Sequence, residues 1–181
     1  PQISKLFEMI NETTEEAFNL LENLLRWTRN QNGKTKIYAT LFNLTPVARQ
    51  VVSLFSAIAN AKEIELINRI EGKFDIFADE DMIKTVLRNL ISNAIKFTYT
   101  GGQVELSLAD SGDYWTIYVK DNGKGIPKDL QAHLLKSDEY ITTYGTHNEK
   151  GSGLGLILCR DFIRMNKGKL HFYSQEGIGT T

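Results

Sequence analysis

The chain has 181 residues, which is enough for one ordinary domain with an appendage, and its 41% of hydrophobic residues can build a core. The formal net charge is −1 and no basic stripe dominates, so we expect no nucleic-acid partner. No apolar run approaches membrane-spanning length, and no signal peptide opens the sequence. The single cysteine, Cys159, cannot form an internal disulfide, and its apolar surroundings predict a buried thiol.

The first 32 residues carry a long helical pattern. Apolar and small side chains recur there in alternating steps of three and four, which is the spacing of a heptad seam in a bundle or coiled coil. An amphipathic helix packed on its own domain is the alternative. We interpret the polar run that follows, with Gly33 as a candidate C-cap, as the junction between two units. Because the chain starts at Pro1 rather than at a methionine, we expect a piece of a longer protein.

A strand, a helix and two further strands are predicted next. Residues 37–42 have strand propensity, and Thr45 with Pro46 predicts a helix start, with Thr45 as the cap and Pro46 at the first helical position. Alternation over residues 63–70 and a short apolar run over 74–77 predict the two strands. The buried stripe of the predicted helix is Val47, Val51, Leu54, Ile58 and Ala61.

Residues 79–97 are predicted to form one helix with two different faces. Asp79 is the expected N-cap, with acidic residues behind it in the first turn. Asn89, Asn93 and Lys96 share one side at i, i+4 and i+7, and this polar edge could meet a cation and a phosphate. A solvated helix face is the alternative. The predicted apolar stripe is Ile83, Leu87, Leu90 and Ala94.

A hairpin leads into the first glycine-rich motif. Residues 104–108 and 114–119 alternate on either side of a turn, which predicts paired strands. The second strand runs into Asp121-Asn-Gly-Lys-Gly-Ile-Pro, where Gly123 and Gly125 permit a tight bend and a close approach to a flat ligand. The carboxylate of Asp121 can accept a hydrogen bond from an exocyclic amine such as that of adenine. A turn without a ligand is the alternative, because such turns are common.

A second glycine-rich motif follows a polar stretch. Residues 137–150 have no steady period and predict a long loop, which in a compact domain is usually functional or mobile. Gly151, Gly153 and Gly155 then open a helix, and exposed amides at a helix N-terminus bind phosphate readily. Their spacing matches neither the dinucleotide fingerprint nor a Walker loop, and a flexible loop capped into a helix is the alternative. The other predicted features are a short helix from about 128 to 135, a buried stripe of Leu156, Cys159, Phe162 and Ile163, a helix end at Gly168, a strand over 169–173 and a turn or strand over 177–181.

In this order, the motifs resemble those of sensor histidine kinases. The stretch from Asn89 to Thr98 is similar to their N box, and the motifs that begin at Asp121 and Gly151 are similar to their two glycine boxes. The segment Gly177-Ile-Gly-Thr resembles the final Gly-x-Gly-Thr element, so the resemblance covers residues from about 35 to the end. It implies an α+β fold of the Bergerat type, an α/β sandwich with a mixed, mostly antiparallel sheet and helices on one face, preceded by one long N-terminal helix.

The resemblance also implies two domains. Residues 1–33 would be the second helix of a dimerisation and histidine-phosphotransfer bundle, present only in part. Residues 34–181 would be the ATP-binding catalytic domain. The implied partners are the dimerisation bundle of the same kinase and the receiver domain of a response regulator. We expect a cytoplasmic kinase module whose full-length parent is a homodimer and is either soluble or membrane-anchored.

ATP and Mg²⁺ are the implied ligands. By resemblance, Asn93 supplies its amide oxygen to Mg²⁺, Asn89 supports the metal and phosphate side, and Lys96 pairs with a phosphate, so Asn89 and Lys96 are the candidate catalytic residues. Asp121 would hold the adenine amine. The candidate ATP-binding residues are Asn89, Asn93, Lys96, Phe97, Asp121, Gly123, Gly125, Ile126, Gly151, Ser152, Gly153, Leu154, Gly155 and Thr180.

The residue at position 89 bears on the reaction. In the related gyrase, mismatch-repair and heat-shock chaperone ATPases, a glutamate at this place activates water. The amide of Asn89 has no useful basicity, so we expect slow hydrolysis and phosphoryl transfer to a histidine instead. The chain contains only His133, His147 and His171, none in the context of a phosphoacceptor, and we place the acceptor on the missing first bundle helix.

Two other functions remain open from the sequence. A non-catalytic nucleotide-binding or dimerisation module is one, because the acceptor histidine is absent and the Phe-rich segment usual after the first glycine box is replaced by the stretch that begins at Leu134. A hydrolytic ATPase of the wider superfamily is the other, and Asn89 argues against it.

Overall fold

The computed structural model describes residues 36–112, 114–134, 143–147, 149 and 153–181. Apart from Lys36, these residues fall in one unit that begins at Ile37. The helix predicted for residues 1–33, and its assignment to a bundle, lie outside the described residues and stay predictions. Most of the predicted loop over 137–150 and the first two residues of the second glycine motif also lie outside them.

The first helix, α1, spans Leu44–Ala61 and begins differently from the prediction. Asn43 is its N-cap, because Asn43 Oδ1 accepts a hydrogen bond from the Thr45 amide at 3.2 Å. The hydroxyl of Thr45, the predicted cap, instead donates to the main-chain oxygen of Gly72 at 2.8 Å. Pro46 is therefore the third helical residue and not the first. The buried stripe includes Val47 and Val51 as predicted, but it continues to Ala59 and leaves Leu54, Ile58 and Ala61 exposed.

The second helix, α2, spans Glu80–Phe97, and its predicted cap is confirmed. Asp79 Oδ1 accepts a hydrogen bond from the Met82 amide at 3.1 Å. Ile83, Leu87 and Ala94 are buried as predicted, whereas Leu90 is half-buried. Met82, Val86, Ile91 and Ile95 are buried as well, because this helix packs on both the sheet and the last helix.

The strands form a two-stranded ribbon and a five-stranded sheet. The ribbon pairs β1 (Thr40–Asn43) with β3 (Asp75–Ala78) in antiparallel fashion. The sheet contains β2 (Glu65–Asn68), β4 (Gln103–Asp110), β5 (Trp115–Asp121), β6 (Ser174–Gln175) and β7 (Gly179–Thr180). Their order is β2-β4-β5-β7-β6, and only the β2–β4 pair is parallel.

Helices cover one face of this sheet. Val104 and Leu106 of β4 are fully buried, and Ile117 and Val119 lie beside them on the same face, since Leu106 is opposite Val119. Tyr118 points to the other face and is exposed. The predicted α+β sandwich, with a mixed and mostly antiparallel sheet and helices on one face, is confirmed.

The remaining elements depart from the prediction in detail. The short helix α3 spans Lys128–Gln131, and α4 spans Gly155–Met165, so both end before the predicted residues. In α4, Ile157, Leu158, Cys159 and Phe162 are buried, while Leu156 and Ile163 are half-buried. The strand predicted over 169–173 is wrong, because β6 starts at Ser174. Only Tyr173 pairs from that stretch, exchanging two backbone hydrogen bonds with Thr181 at 2.9 and 2.8 Å.

Candidate nucleotide-binding site

The amide side chain of Asn89, on α2, lies beside the start of α4. Asn89 Nδ2 donates to the main-chain oxygen of Thr85 at 3.0 Å, and its Oδ1 faces Gly155, where an added Cβ would lie 2.8 Å from that oxygen. Asn93 is half-buried one turn later, and among the described residues no hydrogen bond holds its amide. Two amide oxygens fit Mg²⁺, which takes oxygen ligands and usually keeps several waters and phosphate oxygens. The described residues contain no cluster of three or more His, Cys, Asp or Glu side chains that could hold a metal.

Two lysines flank the aromatic ring at the end of α2. The Nζ atom of Lys96 lies 5.1 Å from the centroid of the Phe97 ring, and that of Lys124 lies 4.8 Å from the same centroid. Both distances are within the range of a cation–π interaction. The sequence reasoning missed Lys124, although the lysine stands between the two glycines of the first motif. The pair concentrates positive charge at one helix end, which suits an anionic group such as a phosphate.

Asp121 stands at the end of β5 and is 9% exposed. Burial raises the pKa of its carboxyl above the usual 3.8, although hydrogen bonds from the backbone of Gly123 and Thr180 act in the opposite direction. These two amides donate to the same oxygen, Oδ1, at 2.9 and 3.2 Å. The other oxygen takes part in neither bond and can accept from a ligand amine. Thr180 lies directly opposite Asp121 in the β5–β7 pair, so these two candidate ATP-binding residues come together.

The glycines of the first motif make room for the protein's own backbone. A Cβ at Gly123 would overlap the main-chain oxygen of Phe97, and one at Gly125 would overlap that of Gln175. Gly125 also has a φ of +65°, which favours glycine. The close packing fits the tight bend that the sequence predicts, and the predicted approach to a flat ligand stays a prediction. The two glycines let the motif close onto the end of α2 on one side and onto β6 on the other.

Ser174 is a further residue that the sequence reasoning missed. Its hydroxyl accepts a hydrogen bond from the Ile126 amide at 2.9 Å and lies 2.8 Å from Thr180 Oγ1. This hydroxyl therefore ties the predicted site residues Ile126 and Thr180 together across two strands. A single serine near the C-terminus gives no distinguishing signal in the sequence.

The second glycine motif is described only in part. Gly151 and Ser152 lie outside the described residues. Gly153 has a φ of +73°, Leu154 precedes α4 and is half-buried, and Gly155 is the first residue of that helix. The contact between Gly155 and Asn89 places the start of α4 beside the amide edge of α2. The three histidines stand apart from this edge in sequence, and His147 Nε2 lies 3.1 Å from Thr100 Oγ1.

Comparison with known proteins agrees with this arrangement. The family model described as histidine kinase-, DNA gyrase B-, and HSP90-like ATPase matches residues 78–181. The circadian input-output histidine kinase CikA of Synechococcus elongatus is 30% identical over 175 residues, which are 95% of this chain and 23% of that protein. The crystal structure of full-length ShkA in complex with AMPPNP matches with a TM-score of 0.75 and 25% identity, over 93% of this chain and 35% of that one. Histidine kinase ThkA in complex with the response regulator protein TrrA matches with a TM-score of 0.70 and 25% identity, over 94% of this chain and 48% of that one.

The chain therefore belongs to the histidine kinase-, DNA gyrase B-, and HSP90-like ATPase family. Within this family it is an ATP-binding catalytic domain of the sensor histidine kinase type. The chain spans less than half the length of the curated relatives that it matches. Among the described residues, no helix combines the length and the apolar character that crossing a bilayer needs.

Proposed function

We propose that this chain binds ATP with Mg²⁺ and transfers the γ-phosphate to a histidine on the first helix of a dimerisation bundle, for relay to the receiver domain of a response regulator. One observation carries the proposal. The last turn of α2, the Asp121 motif and β7 meet at one end of the sheet, because the Lys124 amide donates to the main-chain oxygen of Phe97 at 3.0 Å and the Thr180 amide donates to Asp121.

Each residue has a task in this proposal. The free oxygen of Asp121 accepts the adenine amine, beside Ile126 and Thr180. The amide oxygen of Asn93 would hold Mg²⁺, which would neutralise phosphate charge, and Asn89 would support the metal and phosphate side. By resemblance, Phe97 would take the aromatic position beside the nucleotide. Gly151, Gly153 and Gly155 would bound the lid over the phosphates, with Ser152 and Leu154 between them.

In the chemical step, the protein mainly positions the reacting groups and stabilises the negative charge of the phosphoryl group. The bond between the γ-phosphorus and the bridging oxygen breaks, a phosphorus–nitrogen bond to a neutral imidazole forms, and ADP leaves. Lys96 supplies positive charge to the transferred phosphoryl group. Asn89 cannot remove a proton from water, so hydrolysis stays slow.

The partners and the location follow from the same proposal. We assign residues 1–33 to the second bundle helix and residues 34–181 to the catalytic domain, in a full-length homodimer. The ThkA–TrrA complex supports a response regulator as the partner. ATP is the substrate, so we place the module in the cytoplasm.

Calorimetry tests the site. Asn93→Ala should abolish the Mg²⁺-dependent part of ATP binding, because it removes the proposed metal ligand. Asp121→Ala should abolish binding of ATP and of adenosine alike. If both variants bind ATP like the parent, the site lies elsewhere.

A radiolabel assay tests the reaction. The chain alone should not become labelled by γ-labelled ATP, and an added bundle that contains both helices should acquire an acid-labile label. A bundle that stays unlabelled while ATP binds would favour the non-catalytic module. Steady release of phosphate without any bundle would favour a hydrolytic ATPase.

A further inference from the structure

Lys62 is a buried cation that the proposed chemistry does not use. It directly follows α1 and is 6% exposed. Its ammonium donates to the main-chain oxygens of Ile95 and Lys96, both at 2.9 Å, and to Glu149 Oε1 at 3.0 Å. A buried charge is costly unless it is paired and hydrogen-bonded, and an ammonium has three donors, so these three acceptors satisfy it.

Two of these acceptors belong to the last turn of α2. Carbonyl oxygens there have no partner within the helix and carry the negative end of its dipole, which favours a cation. One of them belongs to Lys96, whose side chain we assign to a phosphate. Lys62 therefore holds the backbone from which Lys96 projects.

The third acceptor joins this helix end to a separate turn. We call residues 143–147 and 149 the docked turn. The Thr146 amide donates to the main-chain oxygen of Lys96 at 3.0 Å, and the Thr146 hydroxyl donates to that of Thr98 at 2.8 Å. The Gly145 amide donates to the main-chain oxygen of Glu149 at 2.8 Å. The docked turn thus rests on the same backbone oxygen that Lys62 binds.

Glu149 connects Lys62 with the docked turn. One carboxylate oxygen receives the ammonium of Lys62, and the other accepts a hydrogen bond from the His147 amide at 2.8 Å. Burial by itself raises the pKa of Glu149, but hydrogen bonds from the backbone and from Lys62 lower it below the usual 4.5, so the carboxylate is charged at neutral pH. The side chain is 35% exposed and that of Lys62 is 7% exposed, so water screens this pair less than a surface pair.

We propose that Lys62 and Glu149 are positioning residues for the phosphate end of the nucleotide site. They attach the docked turn to the end of α2 and thereby set the place of Lys96, without touching the nucleotide themselves. This inference rests on the proposed function and adds to it two residues that none of the glycine-rich motifs contains.

The test compares ATP with AMP, which lacks the two outer phosphates. Glu149→Gln keeps the shape of the side chain and removes its charge. By calorimetry with Mg²⁺ we expect ATP to bind about three- to tenfold more weakly, the range that corresponds to the net contribution of one ordinary hydrogen bond, and AMP to bind as before. Glu80→Gln is the matched control, since Glu80 makes an ion pair with Lys84 at 3.7 Å at the other end of the same helix. The Glu80→Gln variant should bind ATP and AMP with the same affinities as the parent.

Two further measurements keep the proposal falsifiable. Hydrogen exchange at the Thr146 amide should become faster in Glu149→Gln, because its acceptor is held less firmly, while unchanged binding of AMP shows that the variant is folded. In a Lys62→Met background, Glu149→Gln should have no further effect on ATP. Equal loss of ATP and AMP affinity, or no loss of either, would overturn the positioning role. A parent chain that does not bind ATP at all would overturn the proposed function instead.

Discussion

Asp121 shows how a side chain placed for binding can weaken the fold. Its carboxyl is almost fully buried, and the pKa is raised by that burial despite two backbone hydrogen bonds. A raised pKa means that the folded state holds the proton to a higher pH than the unfolded state does. The stabilisation from protonation is therefore present below the usual 3.8 and is lost as the pH rises through the folded-state value. At neutral pH the protein carries a buried charge at the expense of stability.

Replacing this carboxylate should therefore separate stability from binding. In Asp121→Asn the amide oxygen can still accept from Gly123 and Thr180, while the free oxygen becomes a donor that repels the adenine amine. We expect the thermal midpoint at pH 7 to rise by roughly 2–4 °C, the shift that about 1 kcal/mol gives a domain of this size, while ATP binding is lost. The gain over the parent should shrink as the pH falls toward 4. A variant that is less stable than the parent at pH 7, or a gain that grows in acid, would contradict this account.

At the scale of elements, the start of α2 is held by two bonds to one carboxylate. Asp79 Oδ1 caps the helix through the Met82 amide, and Oδ2 accepts from the Tyr38 amide at 2.9 Å. The Asp79 amide in turn donates to Asn166 Oδ1 at 2.7 Å, just beyond α4. Asp79 thus links the segment before β1, through Tyr38, to the start of α2 and to the end of α4, through Asn166.

Two substitutions at Asp79 separate the contribution of the helix cap to stability from that of the hydrogen bond with the Tyr38 amide. Asp79→Asn keeps an oxygen for the Met82 amide and loses the acceptor for Tyr38, whereas Asp79→Ala loses both. We expect urea denaturation to give a loss of ~2 kcal/mol for Asp79→Ala, with less than half of that for Asp79→Asn. Equal losses in the two variants would mean that the cap contributes little to the stability of this fold.

The elements also show which parts of the fold the sequence could predict. The cap of α2 and three of the four residues of its predicted stripe are confirmed because they depend on local spacing, and the β4–β5 hairpin is confirmed because a short turn joins alternating strands. The predicted start of α1 is wrong, because the hydroxyl of Thr45 is taken by Gly72, 27 residues away in sequence. The predicted strand over 169–173 is wrong, because the strand that pairs with β7 is β6 at Ser174–Gln175, and this pairing depends on where the chain meets Asp121.

The candidate site likewise contains residues that the sequence could predict and residues that it could not. Its motif residues stand out by type and order, and in the structure Thr180 lies opposite Asp121 while Asn89 lies beside Gly155. Lys62, Lys124 and Glu149 do not stand out, because their roles depend on contacts between segments that are far apart in sequence. Polar residues that act through tertiary contacts carry no local signal.

At the scale of the whole molecule, the described core consists of two clusters of unequal size. The larger cluster joins α1, α2 and the sheet. The smaller one joins α4 to α2 through Met82, Val86, Leu158, Cys159 and Phe162. Less buried apolar surface holds α4 than holds the main layer, so we expect α4 to detach at a lower free energy than the whole domain unfolds.

Cys159 offers a probe of this detachment, because it is the only cysteine and is fully buried on the inner face of α4. Burial raises the pKa of its thiol from 9.0 to about 12, so an alkylating reagent should find roughly a thousandfold less thiolate than in an ordinary cysteine until α4 opens. We expect labelling of the native chain to be slow and to depend only weakly on urea, because a local opening exposes little surface. ATP with Mg²⁺ should slow it further, since Gly155 at the start of α4 faces the amide edge of α2. Labelling that follows global unfolding in its urea dependence would show instead that α4 and the main layer form one cooperative unit.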